Sequence, residues 1–467
     1  MKKTARMIWM IVLIFLCIYP MKLNPIWNGE YVYQKGQYEE TANSILNGHF
    51  YLDIETTPEF LAVENPYDPE QRAEAGVNYY WDRAYYNGHF YMYFGVVPVY
   101  LLYIPYQLIT GKSLTNFRST QVFTAFIIIG LFCLTDFLRG KFFPKMNDLI
   151  LTAVTTALCL ASVWYFSDAP ALYCTAISSA VCMMVWSLCF YIRAVYDDLS
   201  FNKRIVFAVL GAITGALAFG CRPTVALANV IAIPLFILFL KTNEIERKDR
   251  YKIILIFLPY LIIGSLLMAY NYARFDDPFE FGQKYQMTAY NQADYTLLKG
   301  LGPVKQINGF IAMFFQTAFL DNSFPYLNFG GIFFEFPVFL LSIAALLASK
   351  PARDRLRKLH LLWLVYGSGI AILLITITEV AMSPIILERY HQDVIFLLSM
   401  IAFLTIGAFY TDADEAAVRK YNVLFFILAG ITALTAVLLF FVPNDMNLTE
   451  YYPELLAKLR RHTWTFK

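Results

Sequence analysis

Between residues 36 and 98 the chain reads Gly36-Gln-Tyr-Glu-Glu-Thr-Ala-Asn-Ser-Ile-Leu-Asn-Gly-His-Phe-Tyr-Leu-Asp53 and, after an acidic interval, Tyr80-Trp-Asp-Arg-Ala-Tyr-Tyr-Asn-Gly-His-Phe-Tyr-Met-Tyr-Phe-Gly-Val-Val-Pro98. Both pieces belong to a polar stretch, from about Asn24 to Tyr91, that follows directly on the first apolar run. Helices of a bundle are usually joined by short connections. A long acidic loop held against a bilayer is therefore where functional residues are expected.

Two local structures are predicted in this loop. The first piece has the pattern of a short amphipathic helix from Tyr38 to Leu46, and Gly48 suits the position just after a helix end. The second piece predicts a turn at Asn87-Gly88, followed by an apolar helix that proline interrupts.

The composition places the chain in a membrane. Hydrophobic residues make up 58% of it and charged residues 15%, whereas soluble domains carry about 25% charged residues. The net charge of +2 gives no reason to expect a nucleic-acid partner. None of the seven cysteines and five histidines forms a metal-binding spacing. Clustered carboxylates could hold a divalent cation, but no spacing requires one.

Apolar runs predict an all-α polytopic membrane protein with about eleven transmembrane helices and external juxtamembrane helices. The runs lie at 7–24, 119–138, 149–166, 170–192, 205–220, 223–240, 253–271, 331–349, 361–378, 393–410 and 422–442. They divide the chain into a first membrane helix (1–24), an external loop with juxtamembrane helices (25–118), a helix bundle (119–271), an external loop with an interfacial helix (272–330), further membrane helices (331–442) and a tail that is expected outside (443–467).

Basic residues decide how the ambiguous apolar segments 92–110 and 309–320 are placed. If both lie on the outer surface without crossing, every basic cluster between helices falls on the cytoplasmic side, as membrane proteins prefer. The opening loop and the polar stretch 272–306 are then external, and so are the helix ends near Asp168, Arg222 and Arg389.

Ionisable residues gathered at outer helix ends indicate a function, because such groups are costly near lipid unless they are used or paired. Asp168 lies in an Asp-Ala-Pro turn, Arg222 precedes Pro223, and Arg274 opens a polar segment. Guanidinium groups match phosphate geometry well, so a lipid-linked phosphate is the expected ligand.

Each candidate also has a purely structural interpretation. Asp168 could cap the helix that starts at Pro170. Arg222 and Arg389 could extend to the membrane surface or pair with a carboxylate. The remaining acidic candidates could be a solvated first helical turn (Glu39 and Glu40) and a turn residue (Asp82).

In these features the chain resembles the GT-C superfamily of polytopic glycosyltransferases. Its members have a long first external loop with two juxtamembrane helices, the second opening in an aromatic, proline-containing motif like Tyr91–Pro98. Asp168 resembles the acidic residue of a later external loop, and Arg389-Tyr390 resembles a pair that bacterial members place before a late helix.

The resemblance implies a transferase that moves a sugar from a polyprenyl-phosphate donor to a glycan, lipid or protein acceptor at the outer face of a bacterial plasma membrane. A carboxylate would be the base and arginines would bind the phosphate. The implied catalytic residues are Glu39, Glu40, Asp82 and Asp168, and the implied substrate-binding residues are Arg222, Arg274, Arg389, Tyr390 and Tyr38.

One departure leaves two alternatives open. Family members place an aspartate a few residues before the tyrosine equivalent to Tyr38, where this chain has Gln34-Lys35-Gly36-Gln37. Glu30, Glu39, Glu40 or Asp82 would have to replace it, or the protein would be a catalytically degenerate binding protein. A lipid or sugar flippase is the other alternative, although its ionisable groups would be expected near helix midpoints.

Overall fold

The chain is an all-α polytopic membrane protein. In this computed structural model the described residues are 3–19, 36–77, 82–168, 172–242, 247–317 and 330–439, with Glu454 and Ala457 in the tail, and the side chains of Lys3, Asp168, Thr242, Arg247 and Lys248 are not described. Nine helices within these residues are long and apolar enough to cross a membrane: Asn116–Phe142, Asp148–Ser167, Leu172–Tyr196, Phe201–Phe219, Pro223–Lys241, Asp249–Phe275, Leu362–Met382, Glu388–Tyr410 and Glu415–Leu439.

The elements are labelled in chain order. The first part of the chain forms α1 (Lys3–Ile18), α2 (Gln37–Leu46), α3 (Pro58–Leu61), α4 (Pro69–Glu74), β1 (Arg83–Tyr86), β2 (His89–Met92), a π-helical turn (Val99–Tyr103) and α5 (Ile104–Thr110). The bundle follows as α6 (Asn116–Phe142), α7 (Asp148–Asp168), α8 (Leu172–Tyr196), α9 (Phe201–Phe219), α10 (Pro223–Ala226), α11 (Ala232–Thr242) and α12 (Ile254–Phe275). The last part forms α13 (Leu297–Gly300), α14 (Pro303–Phe315), α15 (Ile332–Glu335), α16 (Pro337–Ala348), α17 (Lys350–Lys358), α18 (Leu362–Met382), a 3-10 turn (Glu388–His391), α19 (Gln392–Tyr410) and α20 (Glu415–Leu439).

Two of the eleven predicted spans form shorter helices. In the first, α1 has 16 described residues and the run continues into residues outside the description. The run 331–349 is divided into α15 and α16, because Pro337 cannot continue a helix and Phe336 before it has a non-helical backbone, with φ −127° and ψ 79°. The 12 residues of α16 reach about 18 Å, against an apolar bilayer core of about 30 Å. The number of about eleven spans stays a prediction.

The helices differ greatly in burial, which places α19 at the centre of the bundle. Every residue of α19 except Phe409 is buried, as expected of a helix that is apolar on all sides. By contrast, α12 buries only six of its 22 residues and leaves a wide apolar face outside.

The external loop folds as predicted in its first piece. Helix α2 begins at Gln37, one residue before the predicted start, and ends at Leu46. Gly48 follows with φ +93°. The amides of Gly48 and His49 donate to the carbonyls of Ile45 and Ser44 at 3.1 Å each, which satisfies the end of the helix.

The second piece contains a β-hairpin that was not predicted. Strands β1 and β2 pair antiparallel from Arg83 opposite Met92 to Tyr86 opposite His89. The predicted turn at Asn87-Gly88 joins them, and both residues have positive φ, at 47° and 81°, as a two-residue hairpin turn requires. The apolar helix therefore starts only at Val99.

The two ambiguous segments both form short helices. The π-helical turn and α5 together cover Val99–Thr110, and α14 has 13 residues. Helices of this length reach about 20 Å and cannot cross the apolar core of a bilayer. Helix α14 also exposes an apolar face with Val304, Ile307 and Ile311, which is typical of a helix lying in a membrane surface.

The basic loops gather at one end of the bundle. Lys141 after α6 pairs with Asp198 at 2.5 Å, and Arg355 on α17 pairs with Asp412 at 2.9 Å. Since α19 ends beside Asp412, its other end, near Arg389, lies at the opposite end of the bundle.

At that opposite end the external loop is attached to the bundle through Gly95. The amide of Val97 donates to the carbonyl of Gly220 at 2.8 Å. A Cβ on residue 95 would lie 2.3 Å from the same carbonyl oxygen, so only glycine allows this approach. The contact fixes the segment after β2 against the start of α10, where Arg222 lies.

Candidate active site

A cavity of about 830 Å³ lies between the external loop and the bundle. Its walls come from the segment after β2, the start of α8, the junction of α9 and α10, the end of α12, the loop 279–297 and the turn before α19. This volume is within the range of small-molecule sites. Five of the nine predicted site residues line it: Asp82, Arg222, Arg274, Arg389 and Tyr390.

Asp82 presents a buried carboxylate at the cavity wall, directly before β1. Its backbone has φ +57°, a left-handed conformation that aspartate tolerates better than most residues. Gln286 donates to Oδ1 at 2.9 Å, and the hydroxyl of Tyr173 donates to Oδ2. The amide of Asp82 donates to the carbonyl of Met287 at 3.0 Å. The carboxylate is thus held from both sides.

Arg389 brings a guanidinium to the same cavity. Its central carbon lies 4.1 Å from the ring centroid of Tyr173 and 5.5 Å from that of Tyr390. Within the described part of the chain this side chain makes neither an ion pair nor a hydrogen bond, and it is half-buried. A partly desolvated cation over aromatic rings attracts anions strongly, because little water screens it.

Arg222, by contrast, is already neutralised. Its Nε donates to Asp393 Oδ2 at 2.8 Å, and a terminal nitrogen donates to Glu379 Oε1 at 3.0 Å. Burial acts to lower the pKa of Arg222, but the two carboxylates raise it above its ordinary value. The predicted alternative of pairing with a carboxylate is what the geometry supports here.

Tyrosines complete the polar wall. The ring of Tyr390 lies 5.6 Å from the guanidinium carbon of Arg222, so it separates the two arginines. Its hydroxyl is 3.2 Å from that of Ser383. Burial raises the pKa of Tyr93 to about 12, and its hydroxyl therefore stays a neutral donor at physiological pH.

Arg274 lines the cavity but is used to join elements. It donates to the carbonyl of Met92 at 2.9 Å and to Asn271 Oδ1 at 2.8 Å. Its guanidinium carbon also lies 4.0 Å from the ring of Tyr270. These contacts bind the end of β2 to α12, and they favour a structural role over one in binding a ligand.

Three further candidates, Glu39, Glu40 and Tyr38, do not line the cavity. Glu40 pairs with Arg83 at 2.7 Å, behind the hairpin, and Glu39 lies beside it in the first turn of α2. Tyr38 is buried between the rings of Phe94 and Tyr103, at centroid distances of 6.2 and 5.4 Å. It supports the cavity wall from outside.

The side chain of Asp168, and the residues around the position where family members have an aspartate before Tyr38, lie outside the described part of the chain. Helix α7 ends at Asp168, as predicted, but its side chain and residues 169–171 lie outside the described part. Glu30, Gln34 and Lys35 also lie outside it.

The rim of the cavity is apolar. Six exposed hydrophobic side chains line it: Phe219, Phe279, Phe281, Tyr290, Leu297 and Ile385. Exposed apolar surface around a polar interior fits an amphipathic ligand, with its chain on the rim and its head group inside.

The part of the cavity that the structure describes contains no cluster of ligands for a divalent metal ion. Among the described residues no three His, Cys, Asp or Glu side chains come together as a metal site requires. Glu379 and Asp393, the paired carboxylates nearest the cavity, already share the guanidinium of Arg222. A cation would have to displace this arginine.

Several residues of the site were not predicted. Tyr173 lies only five positions after Asp168 and could have been found as part of that outer turn. Gln286 belongs to the polar stretch 272–306, but nothing in the sequence pairs it with Asp82. The same holds for Glu379 and Asp393, which lie in or beside apolar runs.

No family model matches the chain, and no curated protein is significantly similar to it. The fold itself defines a class of protein: the chain is a polytopic all-α membrane protein.

Particular solved structures are similar to it. ArnT from Cupriavidus metallidurans, in the apo state, has 12% identity and a TM-score of 0.46, over 97% of this chain and 78% of that one. The Archaeoglobus fulgidus oligosaccharyltransferase has 15% identity and a TM-score of 0.49 in its complex with Zn and sulfate, and 13% and 0.46 in its apo form. The chain covers 55% and 58% of those two structures.

These solved structures are GT-C proteins, the class that the sequence resembles. At TM-scores of 0.46–0.49, the similarity carries no weight for activity, substrate or partner. Function has to rest on the cavity.

Proposed function

We propose that the protein is a membrane glycosyltransferase that moves a sugar from a polyprenyl-phosphate donor to an acceptor hydroxyl. The observation that carries this proposal is one cavity that holds both a positioned carboxylate, Asp82, and Arg389, whose guanidinium makes no ion pair with any described residue. Their chemistry matches the two demands of such a transfer: a base for the acceptor and a cation for the departing phosphate.

The step requires one bond to form and one to break. The acceptor oxygen attacks the anomeric carbon, the bond from this carbon to the phosphate oxygen breaks, and the configuration inverts. The acceptor proton passes to the carboxylate of Asp82, since a carboxylate within hydrogen-bond reach of the acceptor can serve as the base. The polyprenyl phosphate leaves with the bonding electrons, and Arg389 stabilises the charge that develops on it.

The apolar rim supports a lipid-linked donor. A polyprenyl chain would lie across Phe279, Phe281, Leu297 and Ile385, which are exposed at the cavity edge. The surface helix α14 packs against the end of α18 beside this rim. The phosphate and sugar would then extend inward to Arg389 and Asp82.

The outer face is the proposed side of action. The basic loops of the bundle lie at the end opposite the cavity, and such loops are retained in the cytoplasm. Lipid-linked acceptors, glycans and proteins of a bacterial cell envelope are all within reach there.

The test is donor cleavage by the purified protein in lipid nanodiscs. We expect at least one member of a panel of undecaprenyl-phosphate hexoses and pentoses to release undecaprenyl phosphate when envelope extract supplies acceptors. Saturable binding of undecaprenyl phosphate with no cleavage of any donor would contradict the proposal and point to a degenerate binding protein. Movement of intact donor across proteoliposome membranes would point to a flippase.

A further inference from the structure

Tyr173 lies between the two groups to which the proposed function assigns chemistry. Its hydroxyl donates to Asp82 Oδ2. The face of its ring lies under Arg389, with 4.1 Å from centroid to guanidinium carbon. One rigid side chain therefore contacts the carboxylate through its polar end and the cation through its ring.

The position of Tyr173 is itself well fixed. It is the second residue of α8, and Phe94 packs against its ring edge-to-face at a centroid distance of 5.7 Å. A tyrosine side chain has only two rotatable bonds before its ring, so packing at the ring also determines where the hydroxyl points. A shift of this ring would move the supports of Asp82 and Arg389 together.

We propose that Tyr173 is a positioning residue that sets the distance between base and phosphate-binding cation, an inference that rests on the proposed function. The hydroxyl orients the carboxylate towards the acceptor, and it takes no part in proton transfer. The ring holds the guanidinium where the leaving phosphate gathers charge. Catalysis depends strongly on such placement, because reacting groups must be held in near-attack geometry.

The two contacts can be separated by substitution. Tyr173→Phe keeps the ring under Arg389 and removes the hydroxyl that donates to Asp82. Tyr173→Leu removes both. We expect Tyr173→Phe to lower kcat about tenfold while the donor KM and the affinity for undecaprenyl phosphate stay unchanged. We expect Tyr173→Leu to lower kcat further and to weaken undecaprenyl phosphate binding several-fold.

A double-mutant cycle and a matched control complete the experiment. In the Asp82→Asn background, Tyr173→Phe should lower kcat little further, because the hydrogen bond that it removes no longer orients a base. Tyr100→Phe changes an exposed tyrosine of the same external module and should leave kcat and KM unchanged.

The outcomes separate this inference from the proposed function. Active wild-type protein with an equally active Tyr173→Phe variant overturns the positioning role alone. Equal losses of kcat and phosphate affinity in both variants also overturn it, since they would indicate a general structural effect. Absence of donor cleavage by the wild-type protein overturns the proposed function and this inference with it.

Discussion

Arg222 and Asp393, 171 positions apart in the sequence, are joined by a hydrogen bond of 2.8 Å from Nε to Oδ2. The carboxylate of Asp393 is fully buried, and Glu379 shares the same guanidinium. This ion triad ties the start of α10 to α18 and α19 at the edge of the cavity. Arg389, in contrast, makes no ion pair with any described residue, so an anionic ligand can bind it without displacing one of their carboxylates.

Removal of one member of the triad should destabilise the protein. In Asp393→Asn the half-buried Arg222 loses one of its two compensating carboxylates, and breaking a buried pair typically costs about 3–5 kcal/mol. We expect a clearly lower midpoint in thermal unfolding of the detergent-solubilised protein. Asp412→Asn is the matched control, because Asp412 pairs with Arg355 at the exposed surface, where such pairs contribute about 0–1 kcal/mol. Equal midpoints for the two variants would contradict the assignment.

Loss of the proposed base should abolish turnover without loss of binding. Asp82→Asn keeps the size of the side chain and removes its basicity, so we expect donor cleavage to fall about a hundredfold or more. The affinity for undecaprenyl phosphate should change little, since Asp82 is proposed to contact the acceptor and not the phosphate. Glu59→Gln changes an exposed carboxylate of the same loop and should retain full activity. An Asp82→Asn variant as active as Glu59→Gln would exclude Asp82 as the base.

Loss of the proposed phosphate-binding cation should weaken binding. Hydrogen bonds to charged groups contribute about 1.5–3 kcal/mol, so Arg389→Gln should reduce undecaprenyl phosphate affinity about tenfold to a hundredfold. Binding of undecaprenol, which has no phosphate, should be unaffected. Arg118→Gln, at an exposed position near the start of α6, is the control. If Arg389→Gln weakened the binding of both lipids equally, Arg389 would not be the group that binds the phosphate.

Chelation of divalent cations should leave turnover unchanged. The paired carboxylates beside the cavity are bridged by Arg222, at 2.8 and 3.0 Å, and offer no open site for a hard cation. We expect equal donor cleavage with EDTA and with added Mg²⁺ or Mn²⁺. Activity that EDTA removes and one of these ions restores would refute this expectation.

The attachment of the external loop should depend on the absence of a side chain at residue 95. Gly95→Ala would place a methyl group 2.3 Å from the carbonyl oxygen of Gly220, and overpacking of this kind costs about 1–3 kcal/mol. We expect lower thermal stability and weaker undecaprenyl phosphate binding. Gly264→Ala, in α12 with no atom within 4 Å of the added methyl group, should be neutral or stabilising. A neutral Gly95→Ala variant would mean that the loop can move away from α9 freely.

Much of the helical architecture could be predicted, because a bilayer demands long apolar helices whose backbone groups are all satisfied internally. The bounds of α2 and the turn at Asn87-Gly88 were also predictable from local patterns. The hairpin was not, since its two strands have only four residues each and their aromatic composition also suits an interfacial helix. The division of the run 331–349 depends on the non-helical backbone of Phe336, which is visible only in the folded structure.

The candidate site divides in the same way. Asp82, Arg222, Arg274 and Arg389 could be selected from the sequence because ionisable residues at outer helix ends are rare and costly. Their individual roles could not be assigned. Arg222 and Arg389 look alike in the sequence, yet the first lies between two carboxylates and the second over the ring of Tyr173.

By itself, then, the sequence determined the membrane class, the order of the helices, the long external loop and the short set of charged residues from which a site could be built. Only the tertiary structure decided which charges neutralise each other and which stay available, as with Asp393 beside Arg222 and Tyr173 between Asp82 and Arg389. The physical reason is that ion pairing depends on distances of a few ångströms between side chains. Those distances are set by the packing of helices that are remote in sequence, and this packing cannot be inferred from local sequence patterns.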